Sequence, residues 1–530
     1  MKKIFAILIV IMVAIMSGCN EQKKEKVNEN KNGSVYKGTD TNVLLEEIGK
    51  YTTEKKIKPV KEALTCYAES YEMNLKLDVD KKTLSGDIVM NLTNNTGDTL
   101  NKVCIRNYAA SILKKEQKGS SVINSAMITG SNQKIAVDVK NDPSVVYLDL
   151  SKHKVAPGKS VSVKLHFTTD IPKIDDRFGY HEEGSNDIFQ LSFCFPIMAM
   201  YENGKWSESP YIWNAESNYN KVTKFNVKLE VAEGYMVAAS GDEKTEGAIT
   251  TINGDNIREM AIVASNYMKV TTETTANGIK INNYTLDYDI KDYNDFSMSS
   301  AKESVELYSK LFGDYQYKEL DVVQTFQNTA MEYPGLIMIG LPDVKEINDI
   351  AKGFCYSNLC LTVAHEVAHQ WFYAAIENDP YNEPWLDEGF AEYCEGIIYP
   401  YSVSDSYNKA IEAEKKIFGE DKIYYYESEK EFEEEMKSSG ERTTGDKFII
   451  SKPYNEYKGD DYSWYVYQGG KDFLYELRKA MGDGAFFYTM REYYKNYCFK
   501  EAKGTDFIEA VKAIDDSEKT RKVIEKYINK

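Results

Sequence analysis

Residues 361 to 370 read LTVAHEVAHQ, placing His365 and His369 four apart with Glu366 directly after the first, in a chain that has five histidines in all. On a helix, positions i and i+4 share one face, so both imidazoles can aim a nitrogen at a single point. Neutral imidazole and carboxylate are zinc ligands, and a zinc site that does chemistry takes three protein ligands and leaves a fourth position open. Glu388, in WLDEGFAEY after eighteen intervening residues, supplies the third. That gap is long enough for one helix to end, turn through NDPYNEP and send a second helix back. Glu366 lies about 100° around the helix from His365. It is free to take a proton from a water molecule and hand it to a leaving group.

Two further stretches bear on the same chemistry. Upstream stands Thr329-Ala330-Met331-Glu332-Tyr333, continuing Pro334-Gly335-Leu336; downstream stands Tyr467-Gln468-Gly469-Gly470-Lys471. With HEVAH, the eighteen-residue gap and Glu388, they give the chain a resemblance to the gluzincin aminopeptidase family, which includes alanyl aminopeptidases and leukotriene hydrolases. Thermolysin-like endopeptidases place one more residue in the gap. The resemblance runs over about residues 61 to 530, strongest from Met331 to Gly470, in a short bacterial lipoprotein form without the large carboxy-terminal helical domain of longer members. It implies one zinc per chain, held by His365, His369 and Glu388, which lowers the pKa of water toward about 7 and polarises a carbonyl. It implies that Glu366 is the general base, that Ala330, Met331 and Glu332 line the substrate site with Glu332 pairing the free α-amino group, and that Tyr467 hydrogen-bonds the developing oxyanion. Thr329, Tyr333 and Gly469 depart from the family's Gly-x-Met-Glu-Asn and Tyr-x-Lys-Gly patterns. Tyr465 competes with Tyr467 for the last role. Glu392, one turn after Glu388, is a candidate for orienting a ligand histidine.

These residues need a scaffold. The histidines require a helix, which Asp379-Pro380 would close, and Glu388 a second one opened near Pro384. Before them, AKESVELYSKLFG reads as a helix ended by Gly313, flanked by the strands INNYTLDYD and LDVVQTF. From Lys61 to Val270 apolar residues alternate with polar ones, as in Tyr71, Met73, Leu75, Leu77 and Val79, with turn chemistry between the runs. The expected architecture is multidomain α and β: a β-sandwich-like domain over 61–270, then a thermolysin-like α/β zinc metallopeptidase domain over 271–530. His153, His166 and His181 fall in the β domain and read as structural. The acidic run at 428–447 reads as a solvated helix and loop.

The chain of 530 residues is acidic, with a formal net charge of −18. That excess, with no basic stripe, speaks against nucleic-acid binding. Lys2 and Lys3 precede an apolar run from Ile4 to Met16, shorter than the about 20 residues a membrane span needs but suited to a secretory signal. Met16-Ser17-Gly18-Cys19 resembles a lipoprotein cleavage box, which makes 1–18 a signal peptide, Cys19 the lipidated residue and 19–60 a flexible tether with a marginal helix near Leu44 to Tyr51. The expected location is the outer face of a bacterial cell membrane, anchored by lipid. The other seven cysteines are scattered, with no Cys-x-x-Cys pair, and read as buried apolar residues. The sequence therefore points to a zinc aminopeptidase acting on peptides with a free amino terminus. A zinc endopeptidase, a non-catalytic peptide-binding surface lipoprotein and an epoxide hydrolase are the rivals.

Overall fold

The alternation of the amino-terminal half is spent on one long sheet. Cys66–Asp78 pairs antiparallel with Thr83–Asn94 and parallel with Thr223–Glu230, and further strands, among them Ser160–Asp170 and Ile249–Ile257, extend it to ten. Two four-stranded sheets share its core, one built around Asn186–Leu191 and Ile262–Ser265 and the other around Lys102–Arg106 and Val145–Asp149. A computed structural model describes residues 41–60, 65–131, 133–286, 291–327, 329–340, 356–401, 405–418, 448–458 and 461–528. The signal segment, Cys19, Cys355 and the acidic run at 428–447 lie outside the described residues.

A second core belongs to a five-stranded sheet and the helices after it. Its strand order is Met268–Thr274, Lys280–Leu286, Glu319–Thr325, Leu336–Gly340 and Ala330–Tyr333, so the sheet begins slightly before residue 271. The middle pairs are parallel, and Ala330–Tyr333 adds an antiparallel edge. The helix Lys291–Phe312 covers the sheet and ends at Gly313, whose φ of +133° suits a residue without a Cβ.

Two expectations need correction. Residues 41–60 are not a free tether: Thr41–Lys50 is helical, and its i,i+4 pair Leu44 and Ile48 is buried in the core of the second domain with Ile57. The helix carrying the histidines, Tyr356–Ala368, also stops well before Asp379-Pro380. Beyond Ala368 the hydrogen bonds change reach: Gln370 and Trp371 donate to Val367 and Ala368, three residues back, while Ala374, Ala375 and Ile376 donate to His369, Gln370 and Trp371, five back. His369 therefore sits in the turn just past the helix, one residue beyond its last regular position.

Candidate metal centre and active site

The helix Tyr356–Ala368 buries Leu359, Val363 and Val367 and presents His365 at its last turn. Opposite it, Pro384–Leu386 forms a tight 3₁₀ turn that launches the helix Glu388–Tyr401 with Glu388 as its first residue. Oε2 of Glu388 lies 3.3 Å from Nε2 of His365 and 3.4 Å from Nε2 of His369. Each ring's other nitrogen faces a different carboxylate. Nδ1 of His369 is 2.6 Å from Asp387, and Nδ1 of His365 is 3.3 Å from Glu395 and 3.7 Å from Glu392. If the Nδ1 atoms carry the protons that those acids accept, both Nε2 atoms present lone pairs to a carboxylate that also has only lone pairs. Three acceptors converging without a proton between them fit a cation, and the donor set suits zinc.

Glu392, a candidate for orienting a histidine or for simply facing solvent, is chiefly engaged with a lysine: its Oε1 accepts from Lys471 Nζ at 2.8 Å. Asp387 and Glu395 are the nearer orienting groups, and the sequence reading passed over both. Asp387 was signalled only by its place beside Glu388. Glu395 follows Glu392 by three residues and so shares its helix face.

Glu366 is 6% exposed and its Oε2 has no hydrogen-bond partner among the described residues. Burial pushes its carboxyl up to about 7, against the pull of the two histidines. Glu332 is 4% exposed, with Oε1 likewise unpartnered, and a carboxylate oxygen of Glu332 lies within 4.8 Å of a ring nitrogen of His369. Burial and the carboxylate of Glu216 raise its pKa well above the usual range. The edge strand holds it there because Gln370, next to His369, accepts from Gly335 N at 2.9 Å and donates to Tyr333 O at 3.0 Å. Of its expected neighbours, Met331 packs into the core and Ala330 is partly exposed. Glu216 comes from the β domain, where Arg177 Nη1 holds its Oε1 at 2.7 Å. No local motif marked either residue.

Tyr467 donates to Oε1 of Glu388 at 2.6 Å, and its ring lies parallel to that of His365. The turn Trp464–Gln468 that carries it is wound as a π-helix, a device that re-aims side chains at functional sites. Tyr465 instead stacks on Phe448 with ring centroids 4.3 Å apart, away from the centre. Gly470 packs against Gly389 so closely that a Cβ would stand 2.5 Å from the Gly389 Cα, and a Cβ on Gly469 would meet Phe448 at 2.6 Å. That leaves no room for a lysine at 469, and Lys471 is the cation beside the site.

The remaining histidines stand apart, with His153 near Gln133, His166 near Asp87 and His181 near Asp175. Cys66, Cys104, Cys194, Cys360, Cys394 and Cys498 are free thiols, all but the last buried. An open cavity of about 810 Å³, lined by Lys102, Trp206, Glu383 and Lys503 among others, includes none of the residues around the histidines.

Residues 296–527 match the peptidase family M1 domain. The human aminopeptidase RNPEPL1 is 26% identical over 205 residues, 38% of this chain and 25% of that protein. Human endoplasmic reticulum aminopeptidase 1 is 30% identical over 143 residues, 26% of this chain and 15% of that protein. The chain thus spans a quarter or less of these relatives' length. Among solved structures, an M1 zinc metallopeptidase from Deinococcus radiodurans superposes with a TM-score of 0.58 at 16% identity, covering 88% of this chain and 95% of that one. A mutant of a two-domain M1 zinc metallopeptidase bound to L-tryptophan gives 0.56 at 15% identity, covering 88% and 96%. Both histidines, Glu388 and Tyr467 lie inside the residues that match, so the part of the chain that carries the site is similar to the peptidase family M1 domain.

Proposed function

We propose that the protein is a zinc aminopeptidase that removes amino-terminal residues from peptides. The observation that carries this reading is Glu332, a buried carboxylate with an unpartnered oxygen beside His369, on a strand edge that can also receive a peptide backbone. A free α-ammonium is the substrate group that such a carboxylate selects, and Glu216 adds a second negative charge from the β domain. His365, His369 and Glu388 would hold one zinc, which supplies a Lewis acid and a water of lowered pKa. Glu366, held near neutrality, takes the proton from the attacking water and returns it to the leaving amine. Tyr467, on the far side of Glu388, donates to the oxygen on which negative charge develops. Asp387 and Glu395 keep the two imidazoles in the tautomer that leaves Nε2 free.

Amino-acid p-nitroanilides, free and amino-acetylated, with and without chelator, test the assignment. Hydrolysis of the free-amine compounds alone, lost with chelator, is expected. Equal cleavage of the blocked compounds would indicate an endopeptidase, and no turnover by zinc-loaded protein a binding lipoprotein.

The location proposed is the outer face of a bacterial cell membrane, through lipid on Cys19. Its support is the Lys2, Lys3 and apolar pattern ending at Ser17-Gly18-Cys19. Among the described residues no helix is long and apolar enough to cross a membrane. Cys19→Ser should release the protein from membranes or block its maturation; unchanged membrane association would point to another anchor.

A further inference from the structure

Four residues after His369 the backbone does something that its sequence does not announce. Tyr373 has φ of +144°, a region that side chains other than glycine's rarely enter, and it is 2% exposed. Strained backbone of this kind persists only where its surroundings over-determine it. Here part of the surroundings comes from the β domain, beside contacts such as Phe499 N to Ala375 O at 2.7 Å from the catalytic half of the chain. The Tyr373 hydroxyl donates to Oε1 of Glu259, and the neighbouring Arg258, fully buried, donates from Nε to Ala374 O at 3.0 Å and from Nη2 to Ala375 O at 2.8 Å. The same turn reaches back to the metal centre, since Ala374 N donates to His369 O at 2.9 Å and Ala375 N to Gln370 O at 3.2 Å. Gln370 in turn holds the strand edge that carries Glu332.

We propose that Tyr373, pinned by Glu259, is a positioning residue for the zinc ligand His369, so that the β domain sets the metal affinity of a centre whose ligands all lie in the other domain. The proposal rests on the zinc centre of the preceding reading and adds to it a residue that touches neither metal nor substrate. Its physical content is stored strain. Without the hydroxyl handle, the turn relaxes and His369 leaves the point where the three ligands converge. Glycine at the same position has no strain to hold, so the turn keeps its path although the ring is gone.

Two measurements on the same variants separate this from ordinary packing. Zinc affinity is read by competition with a chromophoric chelator, and stability by thermal unfolding of chelator-treated protein. Tyr373→Phe should keep nearly full stability yet bind zinc at least about 10-fold more weakly, the lower range for losing a group that orients a ligand. Tyr373→Gly should be the least stable of the set, because it empties a ring-sized space, and should bind zinc more tightly than Tyr373→Phe. Glu259→Gln, which retains a carbonyl acceptor for the hydroxyl, should stay within a few-fold of wild type. Zinc affinity that follows the stability order, or Tyr373→Phe binding as wild type does, overturns the proposal and leaves the zinc centre standing. A wild type that takes up no zinc removes both.

Discussion

The Tyr467 hydroxyl lies 2.6 Å from Oε1 of Glu388, while Oε2 of the same carboxylate stands 3.3 Å from His365 Nε2 and 3.4 Å from His369 Nε2. One carboxylate thus faces the ligand pair with one oxygen and the tyrosine with the other. Tyr467→Phe keeps the ring parallel to His365 and removes only the donor. The expected loss is about 10²-fold or more in kcat, the usual cost of deleting an oxyanion donor, with zinc content unchanged. An unaltered kcat would return Tyr467 to the status of a core aromatic.

Glu366 and Glu388 are separable by metal content. Glu366→Gln should retain zinc and lose turnover by about 10²-fold or more, as a missing general base does. Glu388→Gln should weaken zinc itself, because a neutral amide is a poorer ligand than a carboxylate. Elemental analysis beside kcat gives both readings, and equal zinc loss in the two variants would mean that the roles are misassigned.

Asp387 is the test of tautomer control. It is buried against His369 Nδ1 at 2.6 Å, and burial pushes its carboxyl up to about 6 against the opposing pull of that histidine. Asp387→Asn keeps the shape and an amide oxygen that can still accept from Nδ1–H, but removes the negative charge that strengthens that bond and makes the ring a better ligand. Metal affinity or kcat/KM should fall about 10- to 100-fold. Retention of both within a few-fold would show that the ring is fixed by packing alone.

What the sequence made legible follows from range. His365, Glu366 and His369 were readable because a helix fixes i and i+4 by local geometry, and Glu388 because the spacing was one that a helical hairpin can close. Asp387 was readable in principle. Glu216, Arg177, Arg258 and Glu259 were not, since they reach the centre only through the docking of two domains, and nothing local distinguishes them from surface charges. The early end of the histidine helix was hidden for another reason: Tyr373 adopts φ of +144° without the glycine that normally signals it. The helix Thr41–Lys50 was half visible, its Leu44 and Ile48 spacing masked by the polar composition around it.

The contact between Glu243 and the five-stranded sheet predicts a pH dependence of stability. Glu243 Oε1 accepts from Tyr284 at 2.6 Å, while its Oε2 and Oδ2 of Asp321 are buried without partners among the described residues. Burial first, then the charges of Glu319 and Asp242, push Glu243 up to about 7 from 4.5. A raised carboxyl binds its proton more tightly folded than unfolded. Its contribution is therefore complete below about pH 4.5 and is lost as pH rises through about 7. Glu243→Gln, fixed in the neutral form, should be more stable than wild type at pH 8 by on the order of 2 kcal/mol and little different at pH 4. Denaturant unfolding at both values measures it; an unchanged difference between the two pH values would assign the dependence to other groups.

In the proposed aminopeptidase, Glu332 is the residue that would decide the mode of cleavage. Its carboxylate is desolvated and stands beside both His369 and the β-domain Glu216, so a cation entering there meets acids from two domains. Glu332→Ala removes a charge-assisted hydrogen bond to the substrate's ammonium group, worth about 1.5 to 3 kcal/mol, or about 10- to 150-fold in kcat/KM. The loss should fall on peptides with a free amino terminus, while any slow cleavage of the acetylated peptide stays constant or rises, because an unpaired buried carboxylate no longer opposes a neutral blocked end. A residue that merely contributed to the field at the centre would affect both substrates alike. Four kcat/KM values, one peptide free and acetylated on wild type and variant, distinguish the cases. A uniform loss would leave the zinc peptidase in place and remove its restriction to chain ends.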